Sequence, residues 1–433
     1  MPASASSATA AGHDVAVTEE IGPLGFTRRE WQIIGPLSFA AFFENYDYAL
    51  LSVAAPILSD GLGVTPSQFG VAASIVRLAG LASILLVRAA DRSGRRTMLL
   101  LTLTGFIAFT GLTALAWGLV SFVVFSCLAR AFLTAEGALS GLVMSEEVDP
   151  TRRGRALSFT GLIGQTAFGG VALLIALPVL PFGWRFLYLL ALAPLAVVAS
   201  LRRRLPETTA FRVASEDRRV DDTRAPRLAR AWRGRAVALA TLFGVVGAFQ
   251  TAGVYHAAQL AQVTYDWSGR YTLIIVVSGP FTLAGFLLGG RGSDRWGRRP
   301  VLSVGVVVGS AGMALLFLGG QSGFAPGWFA FVIGQAIVAG CWLVFVGELV
   351  PTEVRATVTS IVVSVHVAAG SVGLALSSVL GSSPGESGRV VVWIGVASVV
   401  SLAMLAWLPE TTGRDMVRPY EDGPGAAPDA AGV

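Results

Sequence analysis

The sequence predicts an all-α membrane protein of twelve transmembrane helices, folded as two pseudo-symmetric six-helix bundles. Three observations carry this. Of its 433 residues, 54% are hydrophobic and 14% charged, whereas soluble chains carry roughly 25% charged residues. The apolar residues come in runs of about 20, the length a helix needs to cross a bilayer core. A short charged motif also occurs twice: Asp91-Arg92-Ser93-Gly94-Arg95-Arg96 returns as Asp294-Arg295-Trp296-Gly297-Arg298-Arg299.

The repetition is ordered along the chain. Leu205-Pro206-Glu207-Thr208 returns as Leu408-Pro409-Glu410-Thr411 at the same offset, and Glu147-x-x-Pro150-Thr151 returns as Glu348-x-x-Pro351-Thr352 at nearly that offset. Three pairs in register mean a chain built of two related halves.

Residues 1–27 are rich in Ala, Ser and Gly. They lack the basic start and apolar middle of a secretory signal, and read as a disordered cytoplasmic tail. The first bundle takes residues 28–201, with spans expected at 33–58, 68–90, 97–117, 119–143, 156–178 and 184–201. A polar, charged cytoplasmic linker follows at 202–235. The second bundle takes 236–410, with spans at 236–258, 271–290, 301–320, 324–347, 356–380 and 389–408, and a cytoplasmic tail closes the chain at 411–433. Strands are excluded by run length and by the lack of alternation.

All 32 basic residues are Arg. Apart from Arg77 and Arg130 inside spans, and Arg185, Arg270 and Arg389 at the opposite edge, they fall on the side of the termini. The positive-inside bias puts both termini in the cytoplasm of a multi-pass protein of the inner (plasma) membrane. The net charge of +5 is thereby explained by membrane orientation and not by nucleic acid. Cys127 and Cys341 lie inside apolar runs in different halves, and read as free thiols with neither disulfide nor metal spacing. No phosphate-cradling Gly-x-x-x-x-Gly-Lys loop is present, so ATP does not drive the protein and no cofactor is implied.

The twice-written Asp-Arg-x-Gly-Arg-Arg, between the second and third and between the eighth and ninth spans, resembles the signature loop of the major facilitator superfamily. Gly183-Trp184-Arg185 before span six and the Glu-x-x-Pro turns after spans four and ten are similar to that superfamily too. Glu44-Asn45-Tyr46-Asp47-Tyr48 resembles a stretch of its metabolite:proton symporters, as does Glu136-Gly137, and the Pro-Glu-Thr segments resemble those of its sugar porters. The resemblance implies a secondary transporter, not an enzyme, working as a monomer on a small molecule and protons within the lipid bilayer.

Within that frame the signature loops read as a conformational latch. Asp91, Arg92, Gly94 and Arg95 form one part, and Asp294, Arg295, Gly297 and Arg298 the other. An aspartate at a helix end can face the positive N-terminus of a neighbouring helix, Asp91 near Ala356 and Asp294 near Ala156. Glu147 and Glu348, with Arg153 and Arg355 close in sequence, complete the expected gate.

Charges at bilayer depth point to the working site. An ionisable side chain there costs roughly 2.5–3.5 kcal/mol on insertion scales. Glu44 and Asp47 sit in span one, Arg77 in span two, Arg130 in span four and Glu136 deeper in span four. The plainer reading of these charges is permanent structural ion pairs, Asp47–Arg130 or Glu44–Arg77. The second half offers polar but uncharged candidates: Gln250, Tyr255, His256, Gln259, Gln335, Trp342, Ser364 and His366. Burial disfavours a carboxylate's charged form and a nearby cation favours it. Asp47 is therefore the leading proton carrier, with Glu44 and Glu136 as rivals. Arg130, then Arg77, would hold an anionic substrate group, with Gln250, His256 and Trp342 shaping selectivity. The expected function is proton-coupled symport of a small carboxylate or zwitterion by alternating access. The alternative is a proton-antiport exporter of drugs or metabolites, suggested by Gly161, Gly164, Gly169 and Gly170 in span five.

Overall fold

The computed structural model describes residues 25–93, 95–148, 150–176, 183–192, 230–350, 352–381 and 383–411. Nearly all of the expected N-terminal tail, the second half of the expected span six, most of the linker and nearly all of the C-terminal tail lie outside the described residues. No β-strand occurs among them.

The first half runs through α1 (Arg28–Leu50), α2 (Ala55–Gly61), α3 (Pro66–Ala79), α4 (Ser83–Ser93), α5 (Arg95–Ala114), α6 (Leu119–Glu147), α7 (Pro150–Ala176) and α8 (184–192). The second half runs through α9 (Arg230–Gln259), α10 (Ser268–Trp296), α11 (Arg298–Leu318), α12 (Gly320–Leu349), α13 (Thr352–Leu380) and α14 (Pro384–Ser401). Helices α1 with α2 make the first span and α3 with α4 the second, giving twelve. Among the described residues, ten helices are long and apolar enough to cross a membrane. The interrupted α1 and the part-described α8 fall short of that measure.

Several helices start where the chain supplies a cap. Thr27 accepts from the backbone of Glu30 while Glu30 accepts from the backbone of Thr27. Thr65 and Gln68 do the same ahead of α3, with Pro66 in the first turn. Ser383 accepts from Glu386 N, with Pro384 in the first turn of α14. Each box satisfies amides that have no partner within the helix.

The first span, expected as one helix, breaks at Leu51–Ala54. The Ala49 carbonyl accepts from Ser52, Val53 and Ala54, and Ser52 Oγ donates to Tyr48 O at 2.8 Å. Pro56, which has no N–H to give, then opens α2. The second span carries a 3-10 turn, Gly80–Ala82, between α3 and α4. Gly80 there faces the side chains of Thr134 and Arg130 on α6. Large apolar side chains such as Leu85, Leu115, Val379, Trp393 and Trp407 are exposed around the outside. That is the surface a bilayer covers and water does not tolerate.

Within the halves, α1 packs on α7, α5 on α6, α9 on α13, and α12 on both α10 and α11. Between the halves, α3 meets α13 and α7 meets α10. The apolar core is not even along these contacts. At the end away from the described termini, one cluster unites both halves: Tyr46, Leu51, Phe69 and Phe122 with Phe249, Tyr255, Tyr271 and Phe324. At the terminal end there are two clusters. Phe26, Ile34, Leu37, Leu139 and Met144 belong to the first half. Leu239, Leu302, Phe345, Leu349 and Leu408 belong to the second. Among the described residues, the halves are therefore sealed at the far end and have separate cores at the terminal end.

Hydrogen bonds follow the same division. Tyr255 Oη donates to Pro66 O at 2.7 Å, Gln262 Nε2 to Val53 O at 2.8 Å, and Thr272 Oγ1 to Ala172 O at 2.9 Å. Ser67 Oγ donates to Ser378 O. All four cross between the halves at the far end.

Candidate functional site

The charges stranded in span one, span two and span four come together. Helix α1 presents Glu44 and, one turn on, Asp47 and Tyr48, α3 presents Arg77, and α6 presents Arg130. Arg130 Nη2 lies 2.5 Å from Asp47 Oδ2, with the Arg130 side chain 1% exposed and that of Asp47 13%. Nη2 is taken up by this ion pair, while Nε and Nη1 of Arg130 have no hydrogen-bond acceptor among the described residues. Buried donors are nearly always satisfied, and one left unmet costs about 1–3 kcal/mol. A guanidinium with two of its nitrogens unused is the group that a carboxylate fits.

Tyr48 organises both arginines. Arg130 Cζ lies 4.0 Å from the ring centroid and Arg77 Cζ lies 4.9 Å from it. The aromatic π-cloud attracts both cations. Of the two pairs named from the sequence, Asp47 with Arg130 is present. Arg77 instead donates from Nη2 to Thr251 Oγ1 of α9, across the halves, at 3.3 Å. Glu44 lies within electrostatic reach of Arg130 and Asp47. Its carboxylate rests on Gly137 of α6, where a Cβ would come 2.5 Å from Oε2. That contact explains why the residue after Glu136 is glycine.

Glu136 stands apart. It is 2% exposed and accepts from Thr102 Oγ1 at 2.7 Å and Ser140 Oγ at 3.1 Å, which places it at the packing of α5 on α6. Among the second-half candidates, Gln250 is half-buried beside Thr251 on α9. Trp342 stacks on His366 with centroids 6.1 Å apart and packs against Phe243 at 5.1 Å. His366 bonds Phe243 O through Nδ1 at 2.8 Å and lies within electrostatic reach of Arg77. His256 is 3% exposed, and its Nε2 bonds Ser377 Oγ at 2.9 Å on α13. The structure therefore uses His256 in helix packing toward the far end and does not set it among the charges.

Three side chains beside the site went unflagged in the sequence. Tyr48 is legible in retrospect, since it directly follows Asp47. Thr251 gave no signal, because a threonine in an apolar run is ordinary. Tyr188 is buried with its hydroxyl unpartnered among the described residues and its ring held edge-on by Phe122 and Trp184. It lies within electrostatic reach of Asp47 and Arg130.

At the terminal end of the second half, the three repeated motifs form one cluster. Arg298 grips Glu348 with two hydrogen bonds, Nε to Oε2 at 3.1 Å and Nη2 to Oε1 at 2.9 Å. Its Nη1 donates to Asp294 Oδ1 and to Ser293 Oγ, both at 2.6 Å. Thr411 Oγ1 donates to Glu348 Oε2 at 2.6 Å. Glu410 caps the start of α11 by accepting from Arg298 N at 2.7 Å and Arg299 N at 3.1 Å.

Among the described residues, Asp294 pairs with Arg298 of its own loop, four residues on. Glu348 takes Arg298. In the first half Glu147 is reached by Arg29 at 3.4 Å. Arg295 is exposed. Gly94 and the side chains of Asp91, Arg92, Arg95, Arg153 and Arg355 lie outside the described residues.

Gly297 makes the second loop possible. It joins α10 to α11 with φ 104° and ψ 151°, a region open essentially to glycine alone. A Cβ there would lie 2.9 Å from Glu410 Oε2. Gly297→Ala is expected to cost about 1–3 kcal/mol from the backbone alone, and to push Glu410 off the α11 amides. A thermal-unfolding comparison of the purified proteins checks this. An unchanged midpoint would show that the Glu410 cap does not hold the loop.

The chain matches the model of the Major Facilitator Superfamily over residues 37–374 and again over 282–423. It is 25% identical over 391 residues to a protein of Cupriavidus pinatubonensis named as a probable 4-methylmuconolactone transporter, covering 86% of this chain and 88% of that one. It is 23% identical over 401 residues to the citrate-proton symporter of Klebsiella pneumoniae, covering 85% and 89%. Its fold matches the crystal structure of a D-xylose-proton symporter with a TM-score of 0.72 at 18% identity, over 89% of this chain and 99% of that one. The chain is a multi-pass transporter and not an enzyme, and it belongs to the Major Facilitator Superfamily.

Proposed function

We propose that this transporter is a proton-coupled symporter, importing a small organic carboxylate or zwitterion across the inner (plasma) membrane as a monomer. Both termini would lie in the cytoplasm, where the positive-inside rule puts the arginine-rich end. The observation that carries this reading is the buried Arg130 guanidinium, which meets Asp47 through Nη2 while its Nε and Nη1 lack a hydrogen-bond acceptor among the described residues. Two relatives bear names that pair a solute with a proton, citrate and D-xylose, which supports the coupling.

The chemistry is an exchange of partners. In the empty carrier Asp47 neutralises Arg130. When Asp47 binds a proton, Arg130 loses its counter-ion and can take the carboxylate of the substrate. Proton and anion then occupy the site together, and the pair of opposite charges that entered remains neutral at bilayer depth, where net charge is costly. When the site faces the cytoplasm, loss of the proton restores the Asp47–Arg130 pair and expels the anion. Arg77 shares the Tyr48 ring and can supply a second positive contact. Glu44 and Glu136 are the rival proton carriers.

The test is uptake by proteoliposomes of a panel of small organic acids, including citrate and 4-methylmuconolactone, with and without an imposed inward proton gradient. The reading expects at least one acid to accumulate only with the gradient. Indifference of every acid to the gradient, together with extrusion of lipophilic cations, would favour the antiport alternative.

A further inference from the structure

Helix α9 carries a stripe that faces the first half. Thr251, Tyr255, Ala258 and Gln262 follow one another at helical spacing, so they share one face. Thr251 accepts from Arg77, Tyr255 donates to Pro66 O, and Gln262 donates to Val53 O. Ala258 between them is fully buried. The far-end seam thus continues without a break down to the charged site, and its lowest bond is made by one of that site's own arginines.

The top of the stripe is irregular on both sides. Gln262 lies in a single π turn, Leu260–Thr264, and Val53 lies in the broken turn that interrupts the first span. Such interruptions free backbone groups for partners outside the helix, and π turns recur at functional sites. Gly70 of α3 lets the seam close, since a Cβ there would run into Ser378 and crowd the ring of Tyr255.

We propose that the Arg77–Thr251 hydrogen bond couples occupancy of the central site to the far-end seam, with Thr251 as the positioning residue. This rests on the reading of Arg77 and Arg130 as the anion-holding pair. In the empty carrier Arg77 spends one N–H on a neutral hydroxyl of the other half and so fastens α9 to α3. An anion at Arg77 keeps the charge-assisted hydrogen bond and adds the Coulomb attraction of an ion pair, which a neutral hydroxyl does not supply. It takes the N–H from Thr251 and loosens the lowest point of the seam. The central site and the seam thereby bias one two-state element, which is the physical requirement for coupling.

The experiment reads the seam without any substrate. In a Cys127→Ser, Cys341→Ser background, Ala258→Cys is labelled in right-side-out vesicles by a membrane-impermeant maleimide. Thr251→Val removes the hydroxyl while keeping the shape, and the labelling rate is expected to rise about fivefold, the population change that one hydrogen bond supports. Thr251→Ser keeps the hydroxyl and is expected to label at the background rate. Arg77→Gln is expected to label as fast as Thr251→Val, and the double variant no faster than either, because one bond is lost only once. Labelling of Thr251→Val at the background rate, of Thr251→Ser as fast as Thr251→Val, or additive acceleration in the double variant would each overturn the proposal. Failure of proton-driven uptake would strike the symport reading instead, and leaves these rates unaffected.

Discussion

Arg130→Gln is expected to abolish uptake and to destabilise the first bundle. Arg130 is 1% exposed and touches Asp47 at 2.5 Å. Removing one partner of a buried ion pair strands the other, which costs about 3–5 kcal/mol. Glutamine also removes the fork that a carboxylate would use and one of the two cations on Tyr48. Arg130→Lys separates the two effects. It keeps the charge, so most of the stability should return. It lacks the planar bidentate geometry, so uptake should stay at least about tenfold below the parent, the loss expected when a charge-assisted bidentate contact is removed. Thermal unfolding and initial uptake rates of both variants check this. Full transport by Arg130→Lys would mean that Arg130 supplies charge alone and that another group orients the anion.

Asp47→Asn should have the opposite signature. Asparagine resembles the protonated aspartate, so Arg130 is left without its counter-ion and stays available to the anion. Substrate should still exchange across the membrane in counterflow, at a rate comparable to the parent. Net accumulation driven by a proton gradient should vanish, because no proton can be taken up or given back at this position. Proton-driven accumulation that survives in Asp47→Asn would move the coupling role to Glu44, which lies near the same arginine, or to Glu136, which lies behind it against Thr102 and Ser140.

What could be read in advance, and what could not, follows from how each feature is encoded. The two-half architecture was legible because its evidence is local: each motif is a few residues long and recurs in order. The structure gives the motifs a common purpose, since Asp294, Arg298, Glu348, Glu410 and Thr411 meet in one cluster. Glu44, Asp47, Arg77 and Arg130 were legible because charge within an apolar run is costly wherever the run folds.

Partnerships were harder, because they depend on how helices turn against each other. Arg77 has Glu44 close at hand in depth, yet it bonds Thr251 of the other half. Asp294 pairs with Arg298 within its own loop, a partner that the loop's sequence did not single out. The break in the first span was hidden because Leu51–Ala54 is as apolar as its surroundings, leaving Pro56 as the one clue. Among the described residues the halves seal at the far end and have separate cores at the terminal end, and alternating access would make this one of two states. A sequence that must support two states does not spell out either.

The most direct test of partner exchange between Asp47 and Arg130 follows the proton itself. Proteoliposomes loaded with a pH-sensitive dye are given an accumulated acid from the panel, with protein-free liposomes correcting for passive entry. The account predicts that the lumen acidifies in step with solute entry in the parent, and that Asp47→Asn loses the acidification while keeping exchange. Solute entry with no proton entry, or with protons leaving the lumen, would contradict it.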